Sequence, residues 1–276
     1  MNNVELTLRC QSQSMTTDDS ILFRSGDPNF MTSLARGLEV LQAFSGQTRT
    51  LKMAAISEVT GLSRAVVRRC LYTLSEMGYV RQSTDGYQIE PKVLALSQTY
   101  FSSSSLPKVA QPFLDEIRET LGESCSLAVL DGSEVVYIAR SAAKRIMTVS
   151  LGIGSRLPAY CTSLGRVILA GLERDALEEL LGKMERKRHT EHTVIAIREL
   201  KQRIARVATD GYALVDQELE IGLRSLAVPV RSQQGKVVAA INVGVQATRI
   251  SQRDMRSQML PALQSAAQQV GQRLPE

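Results

Sequence analysis

Residues 61–80 read GLSRAVVRRCLYTLSEMGYV, and the N-terminal third of the chain is best understood from this stretch. Gly61 permits a tight turn and Ser63 is a helix-capping residue. Val66, Val67, Leu71, Leu74 and Met77 then recur at the spacing of one buried helical face, and Gly78 stops the helix. Arg64, Ala65, Arg68 and Arg69 fall off that stripe, and Arg64 and Arg68, four apart, share a face. Such a helix suits the major groove of DNA. Arginine pairs with guanine O6 and N7, while Ser63 and the helix N-terminus suit a phosphate. A solvated helical face would carry the same arginines, so the surroundings decide.

Upstream, TSLARGLEVLQAFS (32–45) predicts a helix capped by Thr32 or Ser33, with Leu34, Leu38, Leu41 and Phe44 inward and Gly46 at its end. LKMAAISEVTG (51–61) predicts a second, short helix with Met53, Ile56 and Val59 inward. Downstream, YVRQ and GYQIE read as two short strands, with Asp85-Gly86 as the hairpin signal. Three helices followed by a hairpin are the units of a winged helix-turn-helix, expected over residues 30–90. Arg81, Gln82 and Tyr87 of the wing could reach phosphate or the minor groove; surface solubility explains them equally well.

The net charge of +5 suits a polyanionic partner, and its distribution says more. Between Arg49 and Arg69 stand Arg49, Lys52, Arg64, Arg68 and Arg69 against Glu58 alone, whereas the tail before Asn29 is acidic. Residues 1–29, with the polar run QSQSMTTDDS, read as a disordered arm. Cys10, Cys70, Cys125 and Cys161 are far apart and form no CxxC, so no metal, cofactor or disulfide framework is expected. The chain has no run of eighteen apolar residues and a polar start. A cytoplasmic, reduced protein without membrane contact follows.

Pro91 opens a linker helix over residues 91–105, closed by the serine run 102–105. From 106 to 276 the pattern alternates. A helix is expected over Lys108–Leu121, then strands at Cys125–Leu130, Val135–Ala139 and near Met147–Leu151. Helices follow at 163–172, Asp175–Leu181 and Arg198–Thr209, strands at Tyr212–Asp216, Leu226–Arg231 and Val237–Val245, and a last helix at Gln252–Arg273. This is an α+β domain around a central antiparallel sheet flanked by helices. The loop Pro158–Gly165 enters a helix that Thr162 or Ser163 would cap. Free N–H groups at Ser163 and Leu164, facing outward, would receive a carboxylate.

These residues resemble the IclR family of bacterial transcriptional regulators over about residues 30–273. The likeness rests on SLARGLEVLQAF, the 61–80 stretch, GSRLPAYCTSLGRVILA, GYALVDQELEIGLRSLAVPV and AAINV, the fourth being the most specific. MTSLARGL, AVVRRCL, RLPAYCTS and VDQELEIGLRS are similar to the branch that controls the protocatechuate and 3-oxoadipate pathway. The resemblance implies a GAF-like effector domain and a homodimer or dimer of dimers on double-stranded operator DNA upstream of catabolic genes. It also implies a small aromatic or dicarboxylic acid as effector and, for an activator, contact with RNA polymerase. By the same resemblance the effector pocket includes Met147, Tyr160, Ser163, Leu164, Asp216, Ser225 and Asn242, with Arg156 and Arg224 as cationic groups. Asn242 and Gly244 depart from the small hydroxyl residues of other members, which affects ligand shape. Bland readings stand beside these: Arg156 in a structural ion pair, Asp216 holding Arg224, Tyr160 merely packing its ring.

Other signals are weak. Gly152-Ile153-Gly154 lacks the rest of a dinucleotide fingerprint, His189 and His192 lack further metal ligands, and GESCS around Cys125 is no nucleophile elbow. With two histidines and no catalytic cluster, an enzyme is not expected. The rival readings are a repressor of another carbon-source pathway and a DNA-binding scaffold without a ligand.

Overall fold

In the computed structural model of the chain, residues 27–45, 50–143 and 151–275 are described. They form two compact units that divide between Ser102 and Ser103. Nearly all of the expected arm (1–29), Gly46 and Met147 lie outside the described residues.

The first unit begins with α1 (Thr32–Gln42), extended by a 3-10 turn at Ala43–Ser45. The N-cap position is Met31, without a side-chain cap, so neither Thr32 nor Ser33 caps this helix. The expected face is buried only in part: Leu41 and Phe44 pack against the core. Leu34 and Leu38 are 58% and 48% exposed, while Val40 and Ala43 are buried with Ile56, Val67, Leu71 and Val80. In so small a unit α1 can turn only one side to α3, and that side runs through Val40. α2 (Met53–Thr60) ends on Gly61 in the left-handed region, φ 67°. It buries Ile56 and Thr60 and leaves Val59 41% exposed. Thr60 tolerates burial because its hydroxyl donates to Ile56 O at 2.7 Å.

α3 (Arg64–Glu76) is capped by Ser63, whose hydroxyl accepts from Val66 N at 3.4 Å. Val67 and Leu71 are its buried residues; Met77 is the C-cap and swings out of the stripe, half exposed. The wing is β1 (Val80–Ser83) paired with β2 (Gly86–Ile89), Val80 opposite Ile89 and Ser83 opposite Gly86. The turn residues are therefore Thr84 and Asp85, and Gly86 opens β2. Gly86 has φ 141°, and a Cβ there would lie 2.5 Å from Leu51 O. That close approach exists because Leu51 and Tyr87 exchange both backbone hydrogen bonds, at 2.9 and 2.8 Å. The wing is thus stitched to the segment before α2. A 3-10 turn at Pro91–Val93 leads into α4 (Leu94–Ser103).

The second unit starts with α5 (Leu106–Leu121), stopped by Gly122 at φ 69°. β3 (Ser124–Asp131) and β4 (Glu134–Ser141) form a hairpin, followed by the short β5 (Arg156–Pro158). β5 pairs with β4; the strand expected near Met147–Leu151 falls on residues 147–150, outside the described range, and Leu151 is in no strand. Then come α6 (Ser163–Leu169), α7 (Arg174–Lys183), α8 (Ile197–Asp210), β6 (Ala213–Asp216), β7 (Leu223–Arg231) and β8 (Val237–Gln246). The final helical run has a turn at Gln252–Asp254, a π-type turn at Met255–Met259 and α9 (Leu260–Arg273).

The sheet order is β5-β4-β3-β8-β7-β6, every pair antiparallel. Side chains alternate between its faces. Leu127, Leu226, Val228, Ile241 and Val243 join the core made with α5 and α9. Ala128, Tyr137, Ala227 and Ala240 lie on the other face with Tyr160, Leu164 and Ile168. α6 crosses that second face over β7 and β8. It comes so close to the preceding loop that a Cβ on Gly165 would sit 2.1 Å from Ala159 O.

Gly165→Ala should therefore lower unfolding free energy by about 1–3 kcal/mol, the cost of forcing volume into a packed interior. Circular-dichroism melts measure it, and an unchanged midpoint would show that the Ala159 loop yields freely.

Candidate DNA interface and effector site

On α3 the side chains of Arg64, Ala65, Arg68 and Arg69 are all exposed, opposite the buried Val67 and Leu71. No carboxylate pairs with any of the three arginines among the described residues. Ser63 is exposed at the helix start. Three unneutralised guanidinium groups on one short helix form a local positive field, open to a polyanion. Tyr72, also exposed, lies four residues beyond Arg68 and extends this face; its aromatic character concealed it in the sequence.

The wing differs. Arg81 is tied down by Glu90 at 2.7 Å and Gln88 at 3.1 Å, across the hairpin from it. Tyr87 packs its ring against the unit's core while its backbone bonds Leu51. Gln82 stands opposite Tyr87 in the register and is exposed.

In the second unit, Thr162 caps α6 by accepting from Gly165 N at 3.2 Å. Ser163 and Leu164 are buried, so any carboxylate at their N–H groups would lie inside the unit. The Ser163 hydroxyl has no hydrogen-bond partner among the described residues. Tyr160 is buried beside His189, rings stacked 6.2 Å apart. Its hydroxyl donates to Lys187 O at 2.5 Å and accepts from Lys187 N at 2.9 Å. Burial, with the neighbouring Cys161, pushes the phenol's pKa far above its usual range. Burial and Lys187 lower that of His189.

The cationic candidates already hold acids. Arg156, on the edge strand β5, bonds Glu134 at 2.6 Å and Asp131 at 2.8 Å. Arg224 forks onto Asp216, both contacts at 2.9 Å, and also donates to Ala247 O and Ile250 O. Burial raises the Asp216 pKa, but Arg224 and Gln252 outweigh it and hold the carboxyl below its ordinary value. Asn242 and Ser225 lie on the sheet face that α6 covers. Asn242 stands opposite Ala227 and Ser126, and Ser225 opposite Val215 and Gly244.

Two features escaped the sequence reading. Arg166 of α6 is 2% exposed and forks onto Glu218, 3% exposed, at 2.7 and 2.6 Å. Its Nε donates to Tyr160 O at 3.0 Å, and Glu218 also accepts from Val194 N at 3.1 Å. The specific stretch VDQELEIG carries this carboxylate, which ties three loops to α6. The second feature is Arg140. Its Nη1 donates to Ser126 Oγ at 2.8 Å, its guanidinium lies 5.9 Å from the Tyr137 ring centroid, and its Nε is buried without a partner. Strand alternation places Ser126 beside Asn242, but the bulge at Leu127/Ala128 hides from sequence that Tyr137 and Arg140 meet there too.

Comparison with known proteins places this geometry. The IclR helix-turn-helix domain matches residues 33–84, and the bacterial transcriptional regulator IclR C-terminal domain matches residues 98–272. The Pca regulon regulatory protein of Pseudomonas putida is 46% identical, covering 88% of this chain and 84% of that one. The p-hydroxybenzoate hydroxylase transcriptional activator of Acinetobacter baylyi is 35% identical, covering 88% and 91%. The structure of a double mutant of the PobR inducer-binding domain from Acinetobacter, complexed with 3-hydroxybenzoic acid, aligns at 36% identity. It has a TM-score of 0.56 and covers 59% of this chain and 96% of that one.

Glu218→Gln would leave the Arg166 charge buried without its counter-charge, so it should cost about 3–5 kcal/mol in urea unfolding. Arg166→Met with Glu218→Leu should restore part of the loss, because neither charge then remains buried. Equal midpoints for the wild type and Glu218→Gln would remove the ion pair from the list of what holds α6.

Proposed function

The chain belongs to the IclR family of bacterial transcriptional regulators, and we propose that it controls aromatic-acid catabolic genes of the protocatechuate/3-oxoadipate type in response to a small carboxylic acid. The observation that carries this reading is the 46% identity to the Pca regulon regulatory protein along 88% of the chain. α3 enters the major groove of the operator, Arg64 and Arg68 facing base edges and Arg69 and Ser63 the phosphates. The wing offers Arg81 to the backbone only after Glu90 gives it up. Target genes are switched on, as the name of the Acinetobacter activator suggests, through RNA polymerase. No described helix is long and apolar enough to cross a membrane, and the site of action is the operator in the cytoplasm. No catalytic role is proposed.

The effector lies between α6 and the sheet, against Ser163, Leu164, Ser225 and Asn242. Tyr160 contributes its ring, since Lys187 occupies its hydroxyl. Arg156, Asp216 and Arg224 hold the frame through their pairs. The acid bound to the PobR domain supports this class of ligand.

The protein acts as a homodimer. Met31, Leu34 and Leu38 form an exposed apolar stripe at helical spacing on α1, and Leu94 and Leu96 are exposed on α4 of the same unit. A stripe of large aliphatic side chains that its own core does not use suits a second copy of the same surface.

Replacing Arg68 with Ala should cost about 1–3 kcal/mol at the operator if it reads a base. Fluorescence anisotropy on operator and scrambled duplexes measures it, and unchanged affinity and salt slope would take Arg68 out of the interface. Leu34→Asp with Leu38→Asp should weaken self-association by about 2 kcal/mol or more in sedimentation equilibrium. A dimer constant like the wild type's would mean that this stripe is not the contact.

A further inference from the structure

Three arginines of the second unit show how its charges are placed. Arg156 spends its Nε/Nη2 edge on Glu134 and Asp131, and Arg224 spends the same edge on Asp216. Arg140 does not. Ser126 holds its Nη1, and no described residue takes its Nε or Nη2. That edge is the side-on fork that fits the two oxygens of a carboxylate.

Its surroundings make the open fork costly. Ser126 and Asn242 are buried polar residues, Tyr137 is buried beneath the guanidinium, and no acidic side chain pairs with Arg140 among the described residues. A partly buried cation with an unmet donor is normally neutralised or shifted to solvent. Here Ser126 and the Tyr137 ring hold it in place with its fork free. The Tyr137 hydroxyl stays neutral, because burial raises its pKa more than Arg140 and Asn242 lower it. Beside the cluster the same sheet face carries the small residues Ala128, Ala227, Ala240 and Gly244. Leu164 and the unpartnered Ser163 hydroxyl belong to α6, which crosses this face.

We propose that Arg140, braced by Ser126 and Tyr137, is the carboxylate anchor of the effector site, and that the site takes an aromatic monocarboxylate in preference to a dicarboxylate. The proposal rests on the sensor reading above and deepens it. One open fork receives one carboxylate. A second carboxylate would need a second cation, and among the described residues Arg156 and Arg224 are already paired. Small residues on that face suit a flat ring better than a bulky branched chain, with Asn242 beside the anchor.

The test is isothermal calorimetry on the full chain with 4-hydroxybenzoate, its neutral amide 4-hydroxybenzamide, and adipate. The wild type should bind the benzoate and bind the amide and adipate at least about 30-fold more weakly. Arg140→Met should lose a similar factor for the benzoate, and Arg140→Lys, which keeps the charge without the fork, a smaller one. Operator binding without acid and the melting curve establish that both variants are folded. Amide or adipate binding as tight as the benzoate overturns the proposal without any variant. Benzoate affinity within about two-fold of wild type in folded Arg140→Met also overturns it, and leaves the sensor reading standing. No heat from any acid and no acid effect on operator binding in the wild type overturns both.

Discussion

The buried fork between Arg166 and Glu218 is the interaction on which the second unit depends. Two charges removed from water are costly, and only a close, fully hydrogen-bonded geometry compensates them. That geometry is present: both Glu218 oxygens meet the guanidinium, Val194 N adds a donor, and Tyr160 O takes the remaining Nε–H. The pair therefore fixes the positions of α6, of the loop after β6 and of the segment around Val194 at once. Thr190 and Thr193 add hydroxyl bonds to the carbonyls of Gln217 and Glu218, and Gln217 itself sits at φ 61°. A non-glycine residue holds that conformation where its surroundings over-determine it. α6, the loop after β6 and the segment 190–194 are anchored here.

Once the roof is fixed, the accounting of guanidinium groups separates structure from function. Arg166, Arg224 and Arg156 each meet a carboxylate and act as struts. Arg64, Arg68 and Arg69 meet none among the described residues, but they stand in water, where an unpaired charge is cheap. Arg140 combines the two conditions: it is partly buried, and no acid among the described residues pairs with it. The proposed carboxylate would supply the charge that this position lacks among the described residues.

The fold was largely legible in the residues. The Ser63 cap, the glycines at 61, 78 and 122 and the strand alternation all correspond to elements observed. Apolar periodicity was less informative where a small unit has more apolar faces than core. Leu34 and Leu38 have the right spacing, yet the core is drawn through Val40, and spacing alone cannot tell a core face from an intermolecular one. The site was harder still. Periodicity locates neither ion pairs nor bulges, so Arg156 and Arg224 read as free cations although their acids lie across strands. Arg140 went unnoticed because its partners come from β3, β4 and β8, brought together only by sheet order.

A fork left open in the interior also says how an acid could act at a distance. A ligand that binds the folded unit stabilises it in proportion to the logarithm of its concentration over its Kd. It changes the DNA-bound population only by the difference between its affinities for two conformations. The Arg140 cluster offers a physical source for such a difference. Its members stand on three neighbouring strands, so a shift of β4 against β3 at the Leu127/Ala128 bulge would part Arg140 from Ser126 and re-aim the fork. A carboxylate held by both nitrogens favours the register in which Ser126 and the Tyr137 ring keep the guanidinium in place. The same bulge that concealed the site from the sequence is thus the element able to make its affinity depend on conformation.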